Sequence, residues 1–397
     1  MTHSHETTDA LHRPLAYGQD AHSEPLYMTS AYDFGSAEEA SDRFNNRVPG
    51  NVYSRFTNPS VMNFERRLAI LEKAEEAVAT SSGMGAYLAL AMAYLSQGDH
   101  VLMGNGIFGS TAHLFRHYFS QFGITCQPLP LTATAAWREA IRPSTRMMIL
   151  ETPGNPTMEV ADIMALARMA KSAGILLVVD NTILSPIYQK PLTLGADLVI
   201  QSAGKFIDGQ GRCVAGAVAG SSKLIAPIKT ALRSGGMTLS AFDGWLLSKS
   251  LETLHARMVM HETNALHVAR YLQKHPEVNQ VHYTGLPERL DKELVNRQQT
   301  GHGGVLSAEV KGGQRAAWQF INHLSRVSRC TNIGDAKTMV THPWSTTHCR
   351  YSDSEKLKAG ITPGLIRLSI GLEFPDDIIA DLDSAFSKTY LQERDSA

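Results

Sequence analysis

The sequence predicts an α/β protein: a large domain on a mostly parallel sheet, followed by a smaller α+β domain. Through the middle of the chain, short apolar runs alternate with longer amphipathic ones, the spacing of strands joined by crossover helices. Two of those runs, MMIL at Met147–Leu150 and LLVV at Leu176–Val179, are apolar at every position, as strands buried on both faces are. The length of 397 residues, 43% of them hydrophobic, provides for one large core and a smaller one.

Residues 1–60 are polar and punctuated by Pro25, Pro49, Gly50 and Pro59, and read as an extended arm. A helix is expected over Phe64–Ala77, with Phe64, Leu68 and Leu71 inward and Glu65, Lys73 and Glu75 outward. Strands are expected at His100–Met103, Met147–Leu150, Ile175–Val179 and Asp197–Ile200, with helices at Ala112–Phe122 and Ile163–Ala173 between them. One long helix, Ala241–Lys274, serves as a spine to the smaller domain. That domain has strands at Gly304–Val310 and Leu365–Ile370 and a closing helix over Asp376–Leu391. The expected division is an arm 1–60, a large domain 61–255 and a C-terminal domain 256–397.

A net charge of −1 without basic blocks argues against nucleic acid or an anionic membrane as partner. The four cysteines form no C-x-x-C pair, which fits a reducing compartment. The first residues have no apolar signal segment, and the most apolar stretches, Ala86–Leu95 and Ile175–Val179, are too short to cross a bilayer. A cytoplasmic protein is expected. Among the 16 histidines, His255, His261 and His267 recur every six residues and so do not share a helix face, and His342, His348 and Cys349 lack further ligands nearby. No metal is expected.

Gly104-Asn-Gly106-Ile-Phe-Gly109 spells G-x-G-x-x-G. A dinucleotide site needs an acidic residue about 20 positions on, and none occurs from Ser110 to Arg138. The stronger constellation is Asp180 at the end of LLVV and Lys205 after the apolar run DLVI. Both stand where a parallel sheet binds ligands, at the C-terminal ends of its strands. A salt-bridged lysine beside a capping aspartate is the plain alternative. One chemistry uses both: pyridoxal 5′-phosphate (PLP) needs an amine for its aldehyde and an acid beside its ring nitrogen. Thr80–Ala86 (TSSGMGA) opens a small-residue helix and would offer backbone N–H groups to a phosphate, and Phe108 could stack on a pyridine face. Singly, these read as a glycine turn and a core phenylalanine.

Together the residues resemble the Cys/Met-metabolism branch of fold-type I PLP-dependent transferases, from about Tyr27 to the last helix. The likeness rests on NVYSRFTNPS (51–60), TSSGMGA (80–86), ETPGNP (151–156), VVDNT (178–182), QSAGKFIDGQGR (201–212), NIGDAKTMVTHP (332–343) and LIRLSIGLE (365–373). The branch includes cystathionine synthases, cystathionine lyases and homoserine-ester sulfhydrylases, and FGST at 108–111 is most similar to the last. The resemblance implies a Schiff base on Lys205, Asp180 at the pyridine nitrogen and Asn155 near the ring. Gly83, Met84 and Ser202 would cup the phosphate, with Tyr53 and Arg55 reaching it from a neighbouring subunit. Arg367, near the backbone of Asn332, would clamp the α-carboxylate of an amino-acid substrate. It also implies a homo-oligomer, a dimer of dimers with shared sites.

Three positions depart from the pattern. Phe108 replaces a common Tyr, Ser110 stands where methionine γ-lyases have Cys, and Gly204 stands where the family usually has Thr. The implied reaction is γ-replacement on O-succinylhomoserine by sulfide, giving homocysteine and succinate for methionine biosynthesis. Alternatives are cystathionine γ-synthesis with cysteine, γ-elimination, and a PLP-binding regulator without turnover. Cysteine would need a second carboxylate clamp, and no second arginine stands in a strand setting like that of Arg367.

Overall fold

The computed structural model describes residues 5–12 and 21–394. Seven strands form the larger sheet: β1 Glu76–Thr80, β2 His100–Gly104, β3 Thr125–Leu129, β4 Thr145–Glu151, β5 Leu176–Asp180, β6 Leu198–Gln201 and β7 Gly216–Gly220. Their order is β1-β7-β6-β5-β4-β2-β3, and only β7 runs against its neighbours. The apolar runs face both ways, as the period of two requires. Met147, Ile149 and Val178 pack with the helix Gly83–Tyr94 and with Ile225 and Leu232 from the helix Ser222–Gly235. Met148, Leu150, Leu177 and Val179 pack with Leu166 and Ala170 of the helix Ile163–Ala173 on the other side. Asp162 caps that helix by receiving the Ala165 N–H at 2.9 Å, and Gly174 ends it with φ 67°.

The smaller sheet consists of β8 Val278–His282, β9 Val305–Val310, β10 Ser328–Arg329, β11 Met339–Thr341 and β12 Leu365–Ser369, ordered β10-β11-β12-β9-β8. It is mostly antiparallel. The helices Leu254–Lys274, Gly313–His323 and Pro375–Arg394 contribute to its core, which holds Val268, Leu272, Phe320, Ile366, Leu368 and Phe386.

Several expectations are corrected. The arm is not wholly extended: it holds the helices Glu6–His12 and Ala37–Phe44, the latter capped by Ser36. The helix placed at Phe64–Ala77 runs over Pro59–Glu72, because Asn58 caps it ahead of Pro59 and Lys73 turns left-handed at φ 58°. Glu65 is only partly exposed; it receives the Ala79 N–H at 2.8 Å, and burial lifts its carboxyl to about 7. Ala112–Phe122 divides into α-helical, π-helical and 3₁₀ pieces, Gly109–His113, Leu114–Tyr118 and Phe119–Phe122. The expected spine is two helices, Ala241–Glu252 and Leu254–Lys274, with Thr253 between them at ψ 1°. Among the described residues, no helix is long and apolar enough to cross a membrane.

Candidate active site

Strands β1, β2, β4, β5 and β6 all end at one edge of the large sheet, and each delivers a group to it. Asp180 closes β5. Its Oδ2 receives the Tyr87 hydroxyl at 2.8 Å and its Oδ1 the Thr182 N–H at 3.0 Å. Burial pushes its carboxyl above the usual range, and those hydrogen bonds with the charge of Lys205 oppose the rise. Glu151 closes β4 and pairs in register with Asp180. Burial first, then the Asp180 charge, drives the Glu151 carboxyl well above its ordinary value.

Lys205 lies in the turn after β6, with Nζ hydrogen-bonded to the side-chain oxygen of Asn332. Burial, and next the guanidinium of Arg367, lower its pKa, which favours a neutral, nucleophilic amine. Gly204 beside it is required by close approach: a Cβ there would stand 2.5 Å from the Cys213 carbonyl oxygen. The threonine usual at this position in the resembling family therefore meets a backbone wall.

After β1, Ser82 caps the helix Gly83–Tyr94, its hydroxyl receiving the Gly85 N–H at 2.9 Å. A Cβ on Gly83 would lie 3.0 Å from the Ser202 hydroxyl, so the positive helix end and that hydroxyl adjoin. Met84 follows, its sulfur accepting from the Thr111 hydroxyl at 3.6 Å. Past β2, the glycines of G-x-G-x-x-G serve packing: a Cβ on Gly106 would stand 3.1 Å from the Gly154 Cα.

Arg367 comes from β12 of the smaller sheet. It is buried and donates to Asn155 Oδ1 at 3.3 Å, the Thr331 carbonyl at 2.6 Å and the Asn332 carbonyl at 3.2 Å. Its Nε has no partner, and burial lowers its pKa to about 10. Phe108, Ser202, Lys205 and Asn332 line a cavity of about 940 Å³, together with Arg116 and Arg350, which no sequence motif marked. Arg116 lies 3.5 Å from Glu355.

Tyr53 and Arg55 do not join this group. The Arg55 guanidinium stacks on Tyr53 and Phe56 at 5.5 and 4.9 Å and donates to the Arg233 carbonyl, beside a different cavity. Two carboxylate neighbours were also missed. Tyr87 sits in an apolar helix, where its hydroxyl is the one signal of a polar target. Glu151 ends a strand as Asp180 does, and that shared position could have revealed it. Among the described residues, no group of three or more His, Cys, Asp or Glu could hold a metal ion.

Residues 7–387 match the family model of the Cys/Met metabolism PLP-dependent enzymes. The chain belongs to that family. It is 50% identical to the O-succinylhomoserine sulfhydrylase of Pseudomonas aeruginosa, over 91% of this chain and 90% of the relative. It is 39% identical to the L-methionine gamma-lyase of Pseudomonas putida, over 91% of both chains. Its fold matches a solved protein of Campylobacter jejuni, assigned as an O-acetylhomoserine (thiol)-lyase, with TM-score 0.93 and 32% identity, covering 96% of this chain and 99% of that one. That structure carries a pyridoxyl-lysine phosphate. PLP is the cofactor of this family member, and the fold is the α/β architecture that the sequence predicts.

Proposed function

We propose that the chain catalyses γ-replacement on O-succinylhomoserine with sulfide, giving homocysteine and succinate. The observation that carries this reading is the 50% likeness to a sulfhydrylase of that name over nine tenths of both chains. The edge of the large sheet fits PLP. The Gly83 cradle closed by Ser202 suits a phosphate, the buried Asp180 a protonated ring nitrogen, and the Lys205 amine an aldehyde. Bound there, PLP supplies an electron sink for a broken Cα–H bond.

Lys205 would hold the cofactor through Nζ and, once exchanged for the substrate amine, move protons at Cα and Cβ. Its lowered pKa suits that shuttling. Asp180 would keep the proton on the ring nitrogen, with Tyr87 and Thr182 fixing its two oxygens. Arg367 would grip the α-carboxylate, since among the described residues it is buried with only amide and carbonyl oxygens and no carboxylate partner, which leaves a cation to satisfy. Asn155, which already touches Arg367, would stand between that clamp and the ring. Phe108 lines the cavity without a hydroxyl, so proton transfer falls to the lysine. Tyr53 and Arg55, lying outside this cavity, suit the role of groups lent to the phosphate of a neighbouring subunit.

A succinyl ester ends in a second carboxylate, and Arg116 and Arg350 offer it cations. They would serve the carboxylate of cysteine equally well, so the lack of a second strand arginine does not separate the sulfur donors, contrary to the expectation from sequence. The likeness to a γ-lyase favours elimination as the second reading. The deciding assay offers purified protein O-succinyl- and O-acetylhomoserine, each with sulfide or cysteine or alone. Homocysteine from the succinyl ester should dominate. Cystathionine in a donor competition, or 2-oxobutanoate formed equally fast without a donor, would replace this reading with one of its rivals.

A further inference from the structure

Glu151 has no part in the chemistry above, yet it holds the Phe108 backbone and stands in register beside Asp180. Its Oε2 receives the Phe108 backbone N–H at 3.0 Å. Four residues on, the Asn155 N–H donates to the Gly106 carbonyl at 3.2 Å. The loop carrying Phe108 is thus held by two hydrogen bonds from the segment 151–155, backbone close against backbone at Gly106 and Gly154. Through Asn155 the same segment reaches Arg367. Phe108 is 43% exposed and its side chain has no polar group to fix it, so its backbone anchor decides where the ring stands.

We propose that Glu151 is a positioning residue that holds Phe108 at the Lys205 cavity through that backbone N–H, and does so in its proton-bearing form. Two buried carboxyls at register-paired ends of β4 and β5 repel, which favours a proton on one of them. Asp180 receives a hydroxyl and an N–H, whereas Glu151 receives one N–H, so the charge settles on Asp180. The other ionisable groups facing Glu151 are Tyr87 from the helix Gly83–Tyr94, Lys205 after β6 and Arg367 from β12. The two cations favour a charged Glu151, but burial and the Asp180 charge stand ahead of them. A neutral acid keeps its carbonyl oxygen as acceptor for Phe108, so anchoring and neutrality are compatible.

The inference rests on the cofactor's lying against Lys205 and Asp180. It is tested by the cofactor dissociation constant of the apo protein and the pH titration of the bound cofactor's visible band. Glu151→Gln keeps an acceptor oxygen and is neutral at every pH, so its affinity should stay within about threefold of wild type and its band should titrate at the same pH. Glu151→Ala removes the anchor and should weaken affinity about tenfold. Phe108→Ala should do the same, and the double variant should be no worse than either single one, because both delete one ring contact. A purely structural Glu151 would lower Tm in the alanine variant and leave the two losses multiplying; multiplied losses overturn the proposal. If Glu151→Ala does not fold, the glutamine variant decides alone: an unchanged titration and affinity uphold the neutral anchor, and an about tenfold loss or a band titrating at another pH refutes it. A Lys205→Ala protein that still formed the lysine-dependent band would instead remove the underlying site reading, whatever the cycle gave.

Discussion

Arg67 and Arg367 are buried alike, at 2% and 3% exposure, in opposite company. Arg67 sits between two carboxylates, Glu24 and Glu252, the latter at 2.9 Å, and Lys249 pairs with both of them. Two cations and two anions close on themselves and tie the arm at Glu24 to the helices Pro59–Glu72 and Ala241–Glu252. Arg367 has only amide and carbonyl oxygens, and among the described residues no carboxylate within ion-pair distance. The same contrast divides two aspartates. Asp381 receives the N–H groups of Ser325, Arg326 and Val327 and the Ser325 hydroxyl, which hold its carboxyl low despite burial. Asp180 receives two groups and is pushed up. A buried charge that the chain itself completes holds the fold together; one left incomplete marks where a ligand completes it.

The largest effect expected at the open region is that of Lys205→Ala: folded protein without the cofactor's lysine-dependent absorbance and without turnover, checked by dialysis, spectroscopy and assay. A yellow, active variant would erase the distinction at its centre. At the closed region, Arg67→Ala leaves Glu24 and Glu252 sharing Lys249 and should cost about 3 kcal/mol of stability, read from denaturant unfolding, with turnover per folded molecule unchanged. Arg367→Lys loses the two-pronged grip on a carboxylate and should lower kcat/KM by about 2–4 kcal/mol while Tm barely moves. If Arg367→Lys unfolds the protein and Arg67→Ala does not, the two regions have been assigned the wrong way round.

The smallest effect is one of pH. Burial raises the Asp180 carboxyl above its unfolded value, so its contribution to apo stability is full below that unfolded value and is lost as pH rises through the folded one. The Asp381 carboxyl is lowered, so its contribution is present above the unfolded value and lost as pH falls. At neutral pH, Asp180→Asn should therefore raise the apo melting temperature while removing most catalysis, and Asp381→Asn should lower it. Two shifts of the same sign would break the comparison.

Much of this was legible in the residues, and what was not has physical reasons. The runs MMIL and LLVV placed β4 and β5 because strands buried on both faces have no polar alternation to mislead. Asp180 and Lys205 stood out as candidates because Asp180 ends an apolar strand and Lys205 follows one after a small-residue turn. β7, GAVAG, went unseen, since small residues carry almost no periodic signal. The start of the helix at Pro59 was overlooked in favour of its apolar stripe, although Asn58-Pro59 is a cap followed by a first-turn proline. Glu151 and Tyr87 depend on register and on which face of a helix meets Asp180, which is tertiary information. The closed cluster at Arg67 joins residues as far apart as 24 and 252, beyond any local pattern.

The central claim, that the open edge at Lys205 is where the cofactor is held, has a direct chemical test. Holoenzyme reduced with borohydride, digested and mapped by mass spectrometry should carry one pyridoxyl phosphate group, on the peptide containing Lys205. A label on any other lysine, or protein that retains its cofactor but takes no label, would contradict it.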